Sequence, residues 1–336
     1  MAFVRGEGAE VAVRSYVAIG RETTYGTMNS TSASMKALEP LSCTFRTDIT
    51  TQKVDSLSTN RGPSRRVTLD KTVAGTIEQN LHPEESVLLV ASALGGSITS
   101  ASSSSAYQHI VESGNFDVTI PSVCFVVRKG TSAKDWNYTG GRCNSMKITG
   151  NAGELVRCSY DMIFQDSTLL TEDFSTELSI STVLPFTYVQ GVFTYSAVTE
   201  YITGFELTVN NNLKSDKDAR HLGSNIISTL PATRRDIEFK ITQRFDTTST
   251  YDRFIDNSFA AVRLKFSGAS ISTSGVYECQ IDLAKVYMKS PDPELGGSGD
   301  ILMSEIEYDV VVNNPHTLSG YDIRFTFLNT TATYNI

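Results

Sequence analysis

At 336 residues, 40% hydrophobic and 20% charged, the chain has an ordinary globular composition and a length that suits two domains. A formal net charge of −8 argues against a stable nucleic-acid binder, which needs clustered lysine and arginine to neutralise phosphates, although DNA could still pass alongside. The opening segment MAFVRGEGAEVAVRSYVAIG is broken by Arg5, Glu7, Glu10 and Arg14, so it lacks a signal-peptide core. No apolar run approaches the roughly 20 residues of a membrane-spanning helix. Cys43, Cys124, Cys143, Cys158 and Cys279 form an odd set without a C-x-x-C pair, expected to be reduced, buried thiols in a chain made in the cytosol.

Strand signals dominate. Residues 42–50 alternate Cys43, Phe45, Thr47 and Ile49 against Ser42, Thr44, Arg46 and Asp48, which predicts a half-buried strand. Residues 53–71 are polar, without apolar periodicity, and read as a long loop; loops of that length are usually functional or disordered. A second strand is predicted over 72–80. His82-Pro83-Glu84-Glu85 then opens a helix running to Leu94, with Val87, Val90 and Ala91 on one apolar face. Early proline, acids in the first turn and Gly95-Gly96 after the end are its punctuation. Residues 97–106, nearly all Ser, Thr and Ala, read as an exposed loop or flexible linker. Strands follow over 116–120, 123–128, 142–149 and 155–164. The run 165–184 is the expected boundary, giving domains 1–175 and 176–336. The second half shows strand 202–209, polar loop 210–234, strand 236–245, short helix 249–257, and strands 262–266, 277–287, 301–312 and 321–328.

That order suggests a duplication at an offset of 164 positions. Leu41, Cys43 and Phe45 map onto Phe205, Leu207 and Val209, and Val73, Gly75 and Ile77 onto Ile237, Phe239 and Ile241. Val87, Val90 and Ala91 map onto Tyr251, Phe254 and Ile255. Met146 and Ile148 map onto Val310 and Val312, and with one inserted residue Cys158, Tyr160 and Met162 map onto Ile323, Phe325 and Phe327. Each half could hold its own core. Around 123–128 and 277–287 the offset does not hold.

No residue set reads as a catalytic or metal centre. His82, His109, His221 and His316 stand apart in loop-like sequence, where histidines are ordinarily solvated, and none has H-E-x-x-H spacing. Gly6-Glu7-Gly8 lacks the third glycine and preceding strand of a dinucleotide site, and neither a phosphate-binding loop nor a G-x-S-x-G elbow occurs. Glu84 and Glu85 read as helix-dipole partners. The N-x-[ST] triplets at Asn29, Asn137 and Asn329 have no secretion signal to give them meaning. An enzyme is not expected, nor a cofactor or metal.

Two features remain as functional candidates. The long polar loops occur at equivalent places and carry Arg61, Arg65 and Arg66 in the first, with Lys214, Lys217, Arg220, Arg234 and Arg235 in the second. They read either as solvated hairpin tips or as arms reaching a neighbouring subunit, where arginine can bind carboxylates bidentately. The wet strand faces form the second feature. Asp48, Glu78, Glu206, Glu238, Glu305, Glu307 and Asp309 lie opposite apolar stripes, interspersed with Arg46, Lys147, Arg157 and Lys240, so the acidic excess is modest. Any antiparallel sheet with one wet face would look similar.

Several segments together resemble the major tail tube proteins of long-tailed bacteriophages. GRETTYGT (20–27), VAGTIEQNLHPEESVLLVASALGG (73–96) and WNYTGGRCNSMKITG (136–150) carry the likeness in the first half. FELTVNNNL (205–213), HLGS (221–224) and TTSTYDRFID (247–256) carry it in the second, and their order is what persuades. The resemblance implies a mainly β fold of two tandem tail-tube-like β-sandwich or barrel domains, each with a short flanking helix. It implies a structural virion protein that polymerises as stacked rings into the tail tube, the channel for DNA ejection. Three double-domain chains would supply six quasi-equivalent positions; six chains per ring is the competing count. Implied partners are further copies of the chain, the tape measure protein and transiting double-stranded DNA in the lumen, and the tail terminator and distal tail proteins, with no membrane. Assembly in the host cytoplasm and residence in the virion tail follow. The arginine-bearing loops become candidate inter-ring arms and the seven acids candidate lumen residues. The rival readings are a carbohydrate-binding adhesin or fibre β-sandwich, disfavoured by a single tryptophan (Trp136), and a neck or tail-completion subunit that does not polymerise.

Overall fold

The computed structural model describes residues 15–28, 35–54, 62, 65–95, 98–103, 106–113, 120–130, 135–170, 180–245, 249–271, 275–290, 301–313 and 320–334. Its elements are β1 (Tyr16–Arg21), β2 (Met35–Leu38), β3 (Ser42–Cys43), β4 (Arg46–Val54), β5 (Arg65–Asn80), α1 (Ser86–Leu94), β6 (Ile98–Ser103), β7 (Ala106–Glu112), β8 (Val123–Arg128), β9 (Trp136–Asn151), β10 (Arg157–Phe164), β11 (Asp166–Leu169), β12 (Gly191–Tyr195), β13 (Val198–Glu200), β14 (Ile202–Asn210), β15 (Asp236–Arg244), α2 (Ser249–Ile255), β16 (Ala260–Ser270), β17 (Val276–Ser290), β18 (Met303–Val310) and β19 (Ile323–Asn329). The fold is mainly β, a sandwich with two short helices.

One layer is a continuous antiparallel sheet in the order β4-β5-β10-β9-β14-β15-β18-β17. The other layer has two parts. β2-β1-β8 pair onto the first residues of β9, which also carry β11. In the same way β13-β12-β16 pair onto the first residues of β17, which also carry β19. β9 and β17 therefore each turn a corner from one layer to the other. In β9 the corner falls at Gly140, with φ 65, and Gly141, where a Cβ would come within 2.6 Å of the Phe164 ring. Only glycine fits there.

The pairing scheme of the first half thus recurs in the second: β1–β2 with β12–β13, β3–β4 with β14, β5 with β15, and β8 to β11 with β16 to β19. Even a bulge recurs. Asn144 is the extra residue between the pairs Met162↔Cys143 and Asp161↔Ser145, and Lys289 is the extra residue between Tyr308↔Met288 and Glu307↔Ser290. The β6–β7 hairpin has no counterpart and instead extends the second half's layer by pairing β7 with β19.

The alternating apolar residues from both layers form one buried cluster running through both halves. Phe45, Phe125, Tyr138 and Phe164 pack edge-on within it, with Phe45 4.8–5.4 Å from the other three centroids. In the second half, Phe239 stacks on Tyr308 at 5.7 Å.

Several expectations are corrected. Matching pair registers align Cys43 with Phe205, Ser145 with Ser290 and Tyr160 with Ile306, so a single offset holds only for β5 and β15. The Ser-rich stretch is the β6–β7 hairpin, because backbone pairing rather than side-chain pattern holds it. All nine residues of α1 are buried, not one face, since β7 and β9 pack beside it. His82 and His109 are buried rather than solvated. The His82 Nδ1 accepts the N–H groups of Glu84 and Glu85, each at 3.1 Å, and His109 Nε2 lies 2.8 Å from the Thr331 carbonyl. Glu84 and Glu85 are buried acceptors: Glu84 takes hydroxyls from Ser181 and Thr330, Glu85 the N–H of Glu39. The 116–120 strand lies outside the described residues except Ile120, as do His316 and Asn29. All five cysteines are free thiols, four of them buried.

Candidate functional site

Alternation puts one face of the eight-stranded sheet on the core and leaves the other wet, except where residues 211–235 cover Ile163 on β10. The wet face gathers all seven predicted acids. Asp48 lies on β4, Glu78 on β5, Glu206 on β14, Glu238 on β15, and Glu305, Glu307 and Asp309 on β18. Register brings the acids of different strands side by side. Glu238 lies opposite Asp309, and Lys240 between Glu206 and Glu307. Like charges directly opposite repel, so cations are interleaved. Lys147 binds Glu206 at 2.9 Å, Lys289 binds Asp309 at 2.9 Å, Arg46 binds Asp48 at 3.0 Å, and Lys240 binds Glu307. The Lys240 hydrogen bond and charge hold the Glu307 carboxyl below the usual range, and the same contact raises Lys240. Glu78 accepts the Ser42 hydroxyl at 3.1 Å. Among the described residues, Glu238 and Glu305 have no ion-pair partner.

Sequence reading missed Asp161 and Asp236 on this face. Asp161 alternates with Tyr160 and Met162 and could have been found by extending the same parity along β10. Burial raises its carboxyl. It also missed Lys289, because the expected strand stopped at residue 287 whereas β17 runs on to Ser290.

The two long loops differ in form. The first is largely ladder: β4 and β5 pair out to Val54↔Arg65 as a two-stranded ribbon, most of whose outer residues are exposed on both faces. Arg65 and Arg66 lie on that ribbon and Arg61 lies outside the described residues. The second, 211–235, folds back around a small apolar cluster of Ala219, Ile227 and Leu230 against Ile163. It braces the ribbon's base. Arg220 reaches the Asp70 carboxylate at 3.3 Å and the Lys71 carbonyl, while the Lys71 N–H donates to the Asn225 carbonyl at 2.8 Å. Arg235 forks onto Asp322 at 2.8 and 3.0 Å and donates to the Leu94 carbonyl. Both guanidinium groups are thereby engaged within the chain. Lys214 and Arg234 are exposed, Arg234 beside Asp236 at 3.4 Å.

Among the described residues no group of three His, Cys, Asp or Glu side chains could hold a metal, and no helix is long and apolar enough to cross a membrane. Among the described residues the prominent features are a broad charged sheet face, a projecting ribbon and open strand edges. Residues 12–312 match the phage tail tube protein family, and the chain belongs to that family, a component of the virion tail. No curated protein matches the chain.

Proposed function

We propose that the chain consists of two tube domains, 1–175 and 176–336, and polymerises as stacked rings into the channel through which DNA is ejected. The observation that carries this reading is the eight-stranded sheet itself. It has one wet face, and its two ends, β4 and the last residues of β17, carry no further strand among the described residues. Unpaired edges invite association, and joining them around a ring both satisfies the backbone and closes a wall. With two units already side by side in one chain, three chains give six positions.

In this arrangement the wet face lines the lumen. Duplex DNA carries about one negative charge per 1.7 Å. An unpaired cation repeated in every ring would hold the polymer at many points, whereas carboxylates repel it over roughly 10 Å before salt screens them. Pairing Lys147, Lys240 and Lys289 with acids removes such anchors. The β4–β5 ribbon carries Arg65 and Arg66 towards the adjacent ring, and Arg61, Lys214, Arg220, Arg234 and Arg235 are the other loop cations considered for that contact, of which Lys214 and Arg234 are exposed. The tape measure protein occupies the lumen before DNA does, and terminator and distal proteins cap the two ends.

Negative-stain microscopy of concentrated protein tests the assembly: long tubes support it, while single rings point to a neck subunit and monomers to an adhesin. For the lumen, Glu305→Lys/Glu307→Lys/Asp309→Lys should slow ejection through intact tubes. Unchanged ejection would place those residues elsewhere.

A further inference from the structure

We propose that the 211–235 loop is an inward collar, standing in front of the first half's wet face and touching the duplex that passes through the channel. This rests on the lumen reading above and takes the second loop out of the inter-ring arms. Thr72 on β5, Ile163 on β10 and Arg142 on β9 belong to the wet face. Ile163 shares the parity of Ser159 and Asp161, opposite to that of buried Tyr160 and Met162, and pairs with Arg142. The loop leaves β14 after Asn210 and reaches all three strands before returning to β15. On β9, Asn144 accepts the Leu213 N–H at 3.0 Å, and Arg142 donates to the Leu230 carbonyl. On β10, Ile163 packs under Ala219, Ile227 and Leu230. On β5, Arg220 binds Asp70 at 3.3 Å and donates to the Thr72 hydroxyl at 3.3 Å.

One layer of packed side chains separates backbone layers by about 10 Å. The loop therefore brings the wall inward by that order over β9, β10 and the base of β5. In the second half, β15, β18 and β17 carry no such cover among the described residues, because the equivalent loop of the first half is the projecting ribbon. A ring of three chains would then narrow at three places, with a bare stretch of sheet between each. The anchoring side chains all turn towards the sheet, and the far side of the loop is free. There Gly223, at φ 92, makes the turn in which the Ser224 N–H donates to the His221 carbonyl at 3.4 Å, and Leu222 at its tip is fully exposed.

The chemistry of the loop differs from that of the sheet beneath it. On the sheet Lys147, Lys240 and Lys289 are each bound to a carboxylate. On the loop Lys214 and Lys217 are exposed and have no ion-pair partner among the described residues, with Asp216 and Asp218 exposed beside them. Phosphates attract these lysines while the neighbouring aspartates repel them, within the roughly 10 Å over which salt leaves either force. Each contact is therefore brief, and opposed loops centre the duplex without holding it.

Leu222→Cys in assembled tubes should react with a small maleimide but not with a maleimide coupled to a carrier protein wider than the channel. Dissociated subunits should react with both, and wild-type tubes give the blank for the native thiols. Glu305→Cys, exposed on the bare part of the wet face, should behave in the same way. If Leu222→Cys reacts with the carrier, or with neither reagent because the loop is sealed between rings, while Glu305→Cys behaves as a lumen residue, the collar is overturned and the lumen reading stands. Carrier labelling at both positions would remove the lumen reading beneath it. For the contact with DNA, Asp216→Lys/Asp218→Lys leaves only cations along that stretch and should slow ejection several-fold at low salt, the slowing fading as salt rises. Should that variant fail to assemble, Asp216→Asn/Asp218→Asn removes the same repulsion and should slow ejection with the same salt dependence. Ejection at the wild-type rate at every salt concentration would overturn the contact.

Discussion

Phe45→Ala tests the account of the core most directly. The ring is 1% exposed and packs edge-on against Phe125, Tyr138 and Phe164 at 5.0, 5.4 and 4.8 Å. Truncating a buried phenylalanine costs about 3–5 kcal/mol through lost transfer and the cavity left behind. Aromatic pairs add about 0.5–1.5 kcal/mol each beyond area, and three are lost here. The cavity is bounded by both sandwich layers, each fixed by its own ladder, so it cannot easily collapse. We expect about 5 kcal/mol or more, a large part of the roughly 5–15 kcal/mol typical of a folded protein. Urea unfolding of unassembled subunits, followed by near-ultraviolet circular dichroism, measures the difference. Phe259→Ala, whose ring is 61% exposed, serves as the surface control and should cost less than about 1 kcal/mol. A Phe45→Ala loss below about 1.5 kcal/mol would mean that the four rings do not form the packed centre described.

Asn211→Ala should destabilise by about 2–3 kcal/mol, because the buried carboxamide donates to the carbonyls of Ala93 and Cys143 at 2.7 and 2.9 Å and both would be stranded; thermal unfolding checks it. Gly95→Ala should cost about 1 kcal/mol by the same assay, since Gly95 ends α1 at φ 80 and a Cβ would stand 3.3 Å from Ile120. Burial holds the His109 imidazole below its ordinary value of 6.5, so the fold keeps it neutral while the unfolded chain binds a proton as pH falls. Its contribution is therefore complete above pH 6.5 and is lost as pH drops below 6.5 towards the folded value, and His109→Gln should flatten that part of the stability profile. Arg220→Ala should speed amide exchange at Lys71, whose N–H donates to Asn225, without altering exchange in β18; unchanged exchange would mean the loop does not brace the ribbon.

Much of the fold was legible where one face is wet and the other dry. β5, β10, β14, β15 and β18 each alternate cleanly, so parity alone sorted Glu78, Glu206, Glu238, Glu305, Glu307 and Asp309 onto one face. Elements held by backbone pairing without a buried face were not legible. The ribbon beyond Ile49 carries Val54, Val67 and Leu69 but buries none of them, so no dry face marks it as strand, and the Ser-rich β6 gives no pattern at all. β1, β2 and β11 to β13 are short. The buried His82 and His109 were misread because their partners are backbone groups and residues far along the chain, which local sequence cannot reveal. The duplication was visible in outline, but a constant offset fails once loops differ in length. Only the ladder registers and the shared bulge align the later strands.

The first half leans on residues made very late. Asn329 donates to the Pro83 carbonyl and Tyr334 to that of Glu84, contacts spanning 246 and 250 residues, while β7 finds its partner only in β19. During synthesis the segment before α1 and the β6–β7 hairpin must therefore wait, unfinished, until residues 323–334 emerge from the ribosome. Contacts this remote in sequence close slowly. A nascent chain cannot complete one half and then the other, so the first half closes only once β19 and the residues just after it have docked.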